Sequence, residues 1–352
     1  MNLISWLSVI IFSLLLGRIT IPLIIKYCHK HGFLDLPGQH KRHRHPTPLL
    51  GGVGLFIVIW CTVTGYLIIA GAVTDTLGGV ILYVFLGALI IFLVGLSDDL
   101  APVSAWVKLS AEIAAGLVLF MGGLKIDPVT IPYYGQLAIG QFSVLITVLW
   151  VVMLTNAINL IDGLDGLAAG VSLIGIITMV IIGHLYNLGQ VMVFAYALIG
   201  FLLVFLYYNR YPARIFLGDS GSLQIGYYFA VISLLVPVRS YTAAALYVPL
   251  LALGVPLLET VISFLRRLIA GKNVMKADRR HIFHYLTLAG LSYRWVIVVF
   301  YLLSVIFGLF ALAMFYGNRL KVFGFLVLFM VVIFALFFIF MTNLNRFKKR
   351  RL

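Results

Sequence analysis

The chain has 352 residues, of which 63% are hydrophobic and only 10% charged, with a mean hydropathy of +1.12. That balance excludes a soluble globular protein. The net charge of +14, from 25 Lys and Arg against 11 Asp and Glu, is scattered through short stretches. No basic aromatic domain accompanies it, so no nucleic-acid partner is expected. The two cysteines, Cys28 and Cys61, are too few for a disulfide framework or a Cys-based metal site.

Apolar runs near the length of a bilayer crossing recur along the whole chain. In order they cover roughly residues 2–26, 51–73, 78–96, 106–122, 142–160, 165–184, 190–208, 222–238, 243–269, 294–316 and 320–342. No long hydrophilic stretch interrupts them. One integral-membrane domain over 1–352 is therefore predicted, closing in a short basic tail at 343–352. Nothing basic precedes the first run and no small-residue cleavage site follows it, which predicts a retained span.

Basic residues cluster in alternate loops: Lys26, Lys30, Lys41, Arg42 and Arg44, then Lys108, Arg210, Arg214, Arg266, Arg267, Lys272, Lys276, Arg279, Arg280 and Arg294, then the tail. The opposite loops hold only Lys125, Arg239, Arg319 and Lys321. The positive-inside rule predicts an all-α polytopic membrane protein of about 11 transmembrane helices, N-terminus outside and C-terminus cytoplasmic. The tail fits a topology signal that also attracts anionic lipid.

Polar motifs interrupt the apolar pattern on the predicted cytoplasmic side. The first is the basic, turn-rich loop from Asp35 to Gly52, which suits phosphates or anionic headgroups equally. The second is Asp98-Asp99, directly after an apolar run. Two adjacent carboxylates repel by about 3 kcal/mol at an effective dielectric near 20. A hard cation such as magnesium or manganese reverses that sign, whereas a solvated loop merely tolerates it.

Further along, Asn156, Asn159, Asp162 and Asp165 are spaced by three, which at helical pitch lines one face of a span end. The competing reading is a capped helix start at Asp165, with the asparagines packed between helices. In Phe216 to Ser222, Asp219 stands between glycines before the next span. Free amides at such a helix start suit phosphate, and a plain N-cap is the alternative. Phe216 fits either core packing or stacking on a base. The last motif, Asp278 to His284, places two histidines after two arginines, which suits oxyanions better than zinc. Of the acids, only Glu112 and Glu259 fall within spans. A cation-coupled transporter would hold more acids at such depth. Glu259 follows Gly254-Val255-Pro256, where it can satisfy backbone groups freed by a helix break.

Together, these segments resemble the polyprenyl-phosphate N-acetylhexosamine-1-phosphate transferases, from about Asp35 to Gly290. The shared features are the aspartate pair after the third span, the Asn-x-x-Asn-x-x-Asp-Gly-x-Asp-Gly run and the Gly-Asp-x-Gly-Ser run. The first loop resembles the branch that begins O-antigen, enterobacterial common antigen or teichoic acid linkage synthesis, through Asp35, Pro37, Lys41, His43, Pro46, Pro48, Gly51 and Gly52. It departs at Gly38 and His40. In the late loop Phe283 stands where a middle histidine is usual. The branch that transfers phospho-MurNAc-pentapeptide has a different first loop and a triple histidine.

This resemblance implies transfer of a hexosamine 1-phosphate, GlcNAc first among the candidates, from a UDP-sugar to undecaprenyl phosphate with release of UMP. It implies a catalytic set of Asp98, Asp99, Asp162, Asp165 and Asp219, with Asp219, Asp98 and Asp99 at a Mg2+ (or Mn2+) and lipid-phosphate centre. Asp98 would orient or deprotonate the lipid phosphate. Asn159, Asp162 and Asp165 would contact nucleotide and metal, Asn156 would bind substrate, and Phe216 would stack on uracil. Lys41, His43, Arg44, Arg279, His281 and His284 would hold diphosphate or sugar. A homodimer in the bacterial cytoplasmic membrane, with its active site facing the cytoplasm, completes the implied picture.

Overall fold

A computed structural model describes residues 3–37, 45–71, 76–127, 129–131, 135–186, 192–235, 247–269, 271, 282–317 and 321–335. The protein is an all-α polytopic membrane protein. Among the described residues, six helices are long and apolar enough to cross a membrane: Ser5–His31, Gly51–Ile69, Gly79–Leu100, Phe142–Ile161, Leu167–Leu185 and Tyr293–Tyr316. Val193–Asn209 and Lys321–Ala335 are shorter apolar helices.

In chain order the helices are α1 (Leu3–His31), α2 (Gly51–Ile69), α3 (Thr76–Leu100), α4 (Ala105–Met121), α5 (Phe142–Ile161), α6 (Leu167–Leu185), α7 (Val193–Asn209) and α8 (Gly218–Leu235). There follow α9 (247–252), α10 (Gly254–Ile269), α11 (Ile282–Leu288), α12 (Tyr293–Tyr316) and α13 (Lys321–Ala335). A helix occupies each expected apolar segment, with three informative differences. Helix α3 continues through Asp98 and Asp99 instead of ending before them, because the last turn of a span tolerates polar groups beyond the apolar stretch. Helix α8 starts at Gly218, so Asp219 and Ser220 lie in its first turn. The segment 243–269 is broken at Leu253, three residues before Pro256, whose missing N–H cannot continue the helical ladder.

Among the described residues, short strands pair in the stretches between α1 and α2 and between α4 and α5. Strands β1 (Leu34–Asp35) and β2 (Thr47–Pro48) pair antiparallel, Leu34 opposite Pro48 and Asp35 opposite Thr47. Strands β3 (Val129–Ile131) and β4 (Gly135–Leu137) pair likewise.

Helix α8 is the centre of the bundle. Every residue from Ser220 to Leu234 is buried, and α2, α3 and α5 pack around it. Close approach depends on missing side chains. A Cβ on Gly95 of α3 would lie 2.4 Å from the Ser220 Cα, and one on Gly52 of α2 would lie 2.3 Å from the Gly221 nitrogen. These contacts draw the C-terminal end of α3 and the N-terminal end of α2 onto the start of α8, where the polar motifs meet.

Candidate active site

The site begins where α3 turns into α4. Asp98 Oδ1 accepts the Val103 N–H at 2.9 Å, which tightens the connection between the two helices. Ser104 caps α4 by accepting the Val107 N–H. One turn along, the Lys108 ammonium reaches back to Asp98 Oδ2 at 2.7 Å and across to Asp219 Oδ2 at 2.5 Å. Lys108 thus bridges α3 and α8. All three side chains are at most 26% exposed, so solvent screens the pairs only partly.

Asp99 has a different task from its neighbour. Its Oδ1 accepts the Asp219 N–H at 2.7 Å, and its Oδ2 accepts the Ser220 N–H at 3.1 Å and the Ser220 hydroxyl at 2.5 Å. It therefore caps α8 from another helix, a charge-assisted version of an N-cap. The amides expected to receive phosphate are occupied by this carboxylate. Gly218 makes the geometry feasible: its φ is +72°, and a Cβ there would lie 2.6 Å from Asp99 Oδ2.

The asparagine–aspartate run does not present one face. Helix α5 stops at Ile161, so only the asparagines are helical. Asn159 Nδ2 donates to Ser222 Oγ at 2.9 Å. Asn156 Nδ2 instead donates to Glu112 Oε2 of α4, and to the Val152 carbonyl. Glu112 is thereby explained as a buried interhelical partner.

Asp162 is the C-cap residue of α5. No hydrogen bond from a described residue reaches its carboxylate. Burial pushes it up to about 8, and the charges of Asp219, Asp99 and Asp165 add to the rise. Asp165 turns away to brace the 210–217 connection, its Oδ2 accepting the Ala213 N–H at 3.0 Å. Its own N–H donates to the Tyr293 hydroxyl. Asn209 supports the same corner by accepting the Gly166 N–H at 2.9 Å and donating to the Ile215 carbonyl at 2.8 Å. The Tyr301 hydroxyl donates to the Gly166 carbonyl at 2.6 Å.

The first loop joins the site through backbone. The Phe216 N–H donates to the Pro48 carbonyl at 2.8 Å, and the Gly51 and Gly52 amides donate to the Phe216 and Leu217 carbonyls. The Phe216 ring is half-buried. His284 lies on α11 and is half-buried too, its ring 4.4 Å from that of Phe283. Lys41, His43, Arg44, Arg279 and His281 lie outside the described residues.

The structure thus gathers Asp98, Asp99, Asp219, Asp162 and Asn159 at one end of the bundle, with Asp165 one layer away. Sequence reasoning missed Lys108 as a site residue and read it only as a topology charge. Its one available signal was the Glu112 one helical turn further into the same span. Among the described residues, no group of three or more His, Cys, Asp or Glu side chains converges as a metal-binding cluster.

Residues 81–236 match the family model of glycosyl transferase family 4. The chain is 37% identical over 307 residues to a probable undecaprenyl-phosphate N-acetylglucosaminyl 1-phosphate transferase of Bacillus subtilis, covering 86% of this chain and 83% of that protein. It is 32% identical over 298 residues to a decaprenyl-phosphate N-acetylglucosaminephosphotransferase of Mycobacterium tuberculosis, covering 77% and 73%. A phospho-N-acetylmuramoyl-pentapeptide-transferase of Clostridium botulinum is 32% identical over 314 residues, covering 84% and 90%.

Proposed function

Since the chain belongs to glycosyl transferase family 4, we propose that it transfers N-acetylglucosamine 1-phosphate from UDP-N-acetylglucosamine to undecaprenyl phosphate. The observation that carries the reading is Lys108 held between Asp98 and Asp219, with Asp162 close enough to Asp219 and Asp99 to feel their charge, at one end of a membrane-helix bundle.

A lipid phosphate oxygen attacks the β-phosphorus of the nucleotide sugar. The bond from that phosphorus to the bridging oxygen breaks, and UMP leaves. The lipid phosphate has a second pKa of about 6, so at neutral pH it is largely ionised without a dedicated base. The protein's work is therefore positioning and charge neutralisation. Lys108 supplies a cation for phosphate oxygens, and Asp98 aims it. Asp99 sets the start of α8 and with it Asp219. Asn159 ties α5 to the same point.

A divalent cation fits the donor chemistry. Magnesium takes oxygen ligands and is usually held by one or two carboxylates, with substrate phosphates and water completing its shell. Asp162 and Asp219 are the residues that would hold it, and it would neutralise charge on the diphosphate. Asp99 is a poor ligand because both its oxygens already accept hydrogen bonds. Basic residues at helix ends and in the 210–217 connection, Lys108, Arg210, Arg214, Arg266, Arg267 and Arg294, support a site facing the cytoplasm of a bacterial membrane.

The test is a donor panel with protein purified in lipid nanodiscs, undecaprenyl phosphate and magnesium. UDP-N-acetylglucosamine is expected to give UMP and a lipid product heavier by one N-acetylhexosamine phosphate. No UMP from any UDP-N-acetylhexosamine overturns the reading, and preference for another hexosamine or for UDP-MurNAc-pentapeptide reassigns the donor.

A further inference from the structure

Three consecutive residues at the start of α11 are each held differently. The Ile282 N–H is captured by Glu259, whose Oε1 and Oε2 lie 3.0 Å and 3.2 Å away. Phe283 is 2% exposed. Its ring fills the space above Gly163, where a Cβ would lie 2.6 Å from Phe283 Cζ and 3.2 Å from Cε1. His284 follows, half-buried, on the same short helix.

Glu259 stands in α10 only 1% exposed. A carboxylate that deep is costly unless it satisfies polar groups. The break before α10 offers such groups nearby, yet Glu259 reaches an amide 23 residues further along the chain. Helix α11 has only seven residues, too few to be stable on its own. Its register must come from tertiary contacts.

We propose that Glu259 and Phe283 are positioning residues that register α11, and with it His284, on the Asp162–Gly163 turn. Glu259 fixes the first amide of α11, and Phe283 then has one place to go: the hollow left by the missing Gly163 side chain. Gly163 follows Asp162 directly, so the contact couples the histidine helix to the Asp162 carboxylate. Phe283 offers no hydrogen bond to a substrate. Its contribution is geometric, and the polar work of the helix passes to His284. This inference rests on the transferase reading for its kinetic consequences.

The test is a double-mutant cycle on Gly163→Ala and Phe283→Ala, read in kcat and in the KM of each substrate. With Phe283 present, Gly163→Ala forces α11 off the turn and is expected to lower kcat/KM for the UDP-sugar about tenfold or more, since displacements near 1 Å can cost 10²-fold. In the Phe283→Ala background the same substitution is expected to cost less than about twofold, because the new methyl meets no ring. The KM for undecaprenyl phosphate is expected to stay within about twofold throughout. Glu259→Ala is expected to behave like Gly163→Ala. Glu259→Gln, which keeps a carbonyl acceptor for Ile282, is expected to recover most of the loss.

Equal costs of Gly163→Ala in both backgrounds would overturn the proposal, as would a Glu259→Gln no better than Glu259→Ala. If Glu259→Ala fails to fold, the cycle alone decides. If the wild type turns over no donor, the transferase reading fails instead. The same cycle read in melting temperature then still decides the coupling.

Discussion

Asp99 and Ser220 are joined twice: one carboxylate oxygen of Asp99 accepts both the backbone N–H and the hydroxyl of Ser220, at 3.1 Å and 2.5 Å. A capping carboxylate and a metal ligand respond differently to substitution. Asp99→Asn keeps one acceptor, loses the charge and places an amide against α8. It is expected to destabilise the protein by about 1–3 kcal/mol and to lower kcat. The magnesium concentration giving half-maximal activity is expected to move less than about twofold, since no first-coordination bond is lost. A tenfold rise in that concentration would falsify the capping role.

Lys108 is the one described cation between two carboxylates of the site. Lys108→Met leaves Asp98 and Asp219 facing each other without compensation. A loss on the order of 10²-fold or more in kcat is expected, comparable with removing one donor that meets developing charge. Lys108→Arg is expected to recover little, because a planar fork cannot take the place of a compact ammonium between two helices. Steady-state UMP release measures both.

The pH dependence of cation binding follows from Asp162. Its carboxyl is raised from the ordinary 3.8 to about 8, so the cation-free protein holds a proton there at neutral pH. A cation needs the ionised form, so its apparent affinity should rise with pH up to about 8 and then level off. Isothermal titration of magnesium in two buffers of different ionisation enthalpy should show proton release at pH 7, absent in Asp162→Asn. The sign for folding is opposite. The folded state holds this proton more tightly than the unfolded chain, so Asp162 favours folding at low pH and that contribution is lost as pH climbs from about 4 to about 8. Thermal unfolding of wild type and Asp162→Asn across that range checks it.

Asn209 is buried and satisfies one backbone donor in the turn before α6, the Gly166 N–H, and one backbone acceptor within the 210–217 connection, the Ile215 carbonyl. Asn209→Ala strands both, at a cost on the order of 2–4 kcal/mol. Melting temperature should fall and the KM for the UDP-sugar should rise, because Asp165 loses the corner it braces. Asn209→Asp keeps the acceptor toward Gly166 and should retain part of the stability.

The gathering of the aspartates was legible in advance because hydropathy locates spans and Lys and Arg orient them. Nothing in either signal says which way a side chain turns. Asp98 and Asp99 are adjacent, yet successive helical residues point about 100° apart. One therefore meets Lys108 while the other meets α8. The spacing of Asn156, Asn159, Asp162 and Asp165 suggested a single face only on the assumption that the helix continued. It stops at Ile161, and Asp165 then follows the turn to Ala213. Beyond the Glu112 one turn along, little pointed to Lys108, because its partners are 10 and 111 residues away in sequence, and a lysine near a span end has a sufficient explanation in topology alone. Glu259 was read as satisfying freed backbone, and it does accept an amide, but one belonging to α11 and not to its own helix.

The burial of α8 on every side bears on how the protein is made. A helix carrying Ser220, Ser222, Gln224, Tyr227 and Tyr228 through its buried length gains little from lipid contact and depends on protein neighbours. Its main partners α2, α3 and α5 all precede it in the chain, so they leave the ribosome first and form the socket that α8 enters. Asp219 reaches Asp99 and Lys108 only at that docking step. The site is therefore completed late in biogenesis, and a nascent chain released before α8 has docked carries the aspartate pair with nothing to cap.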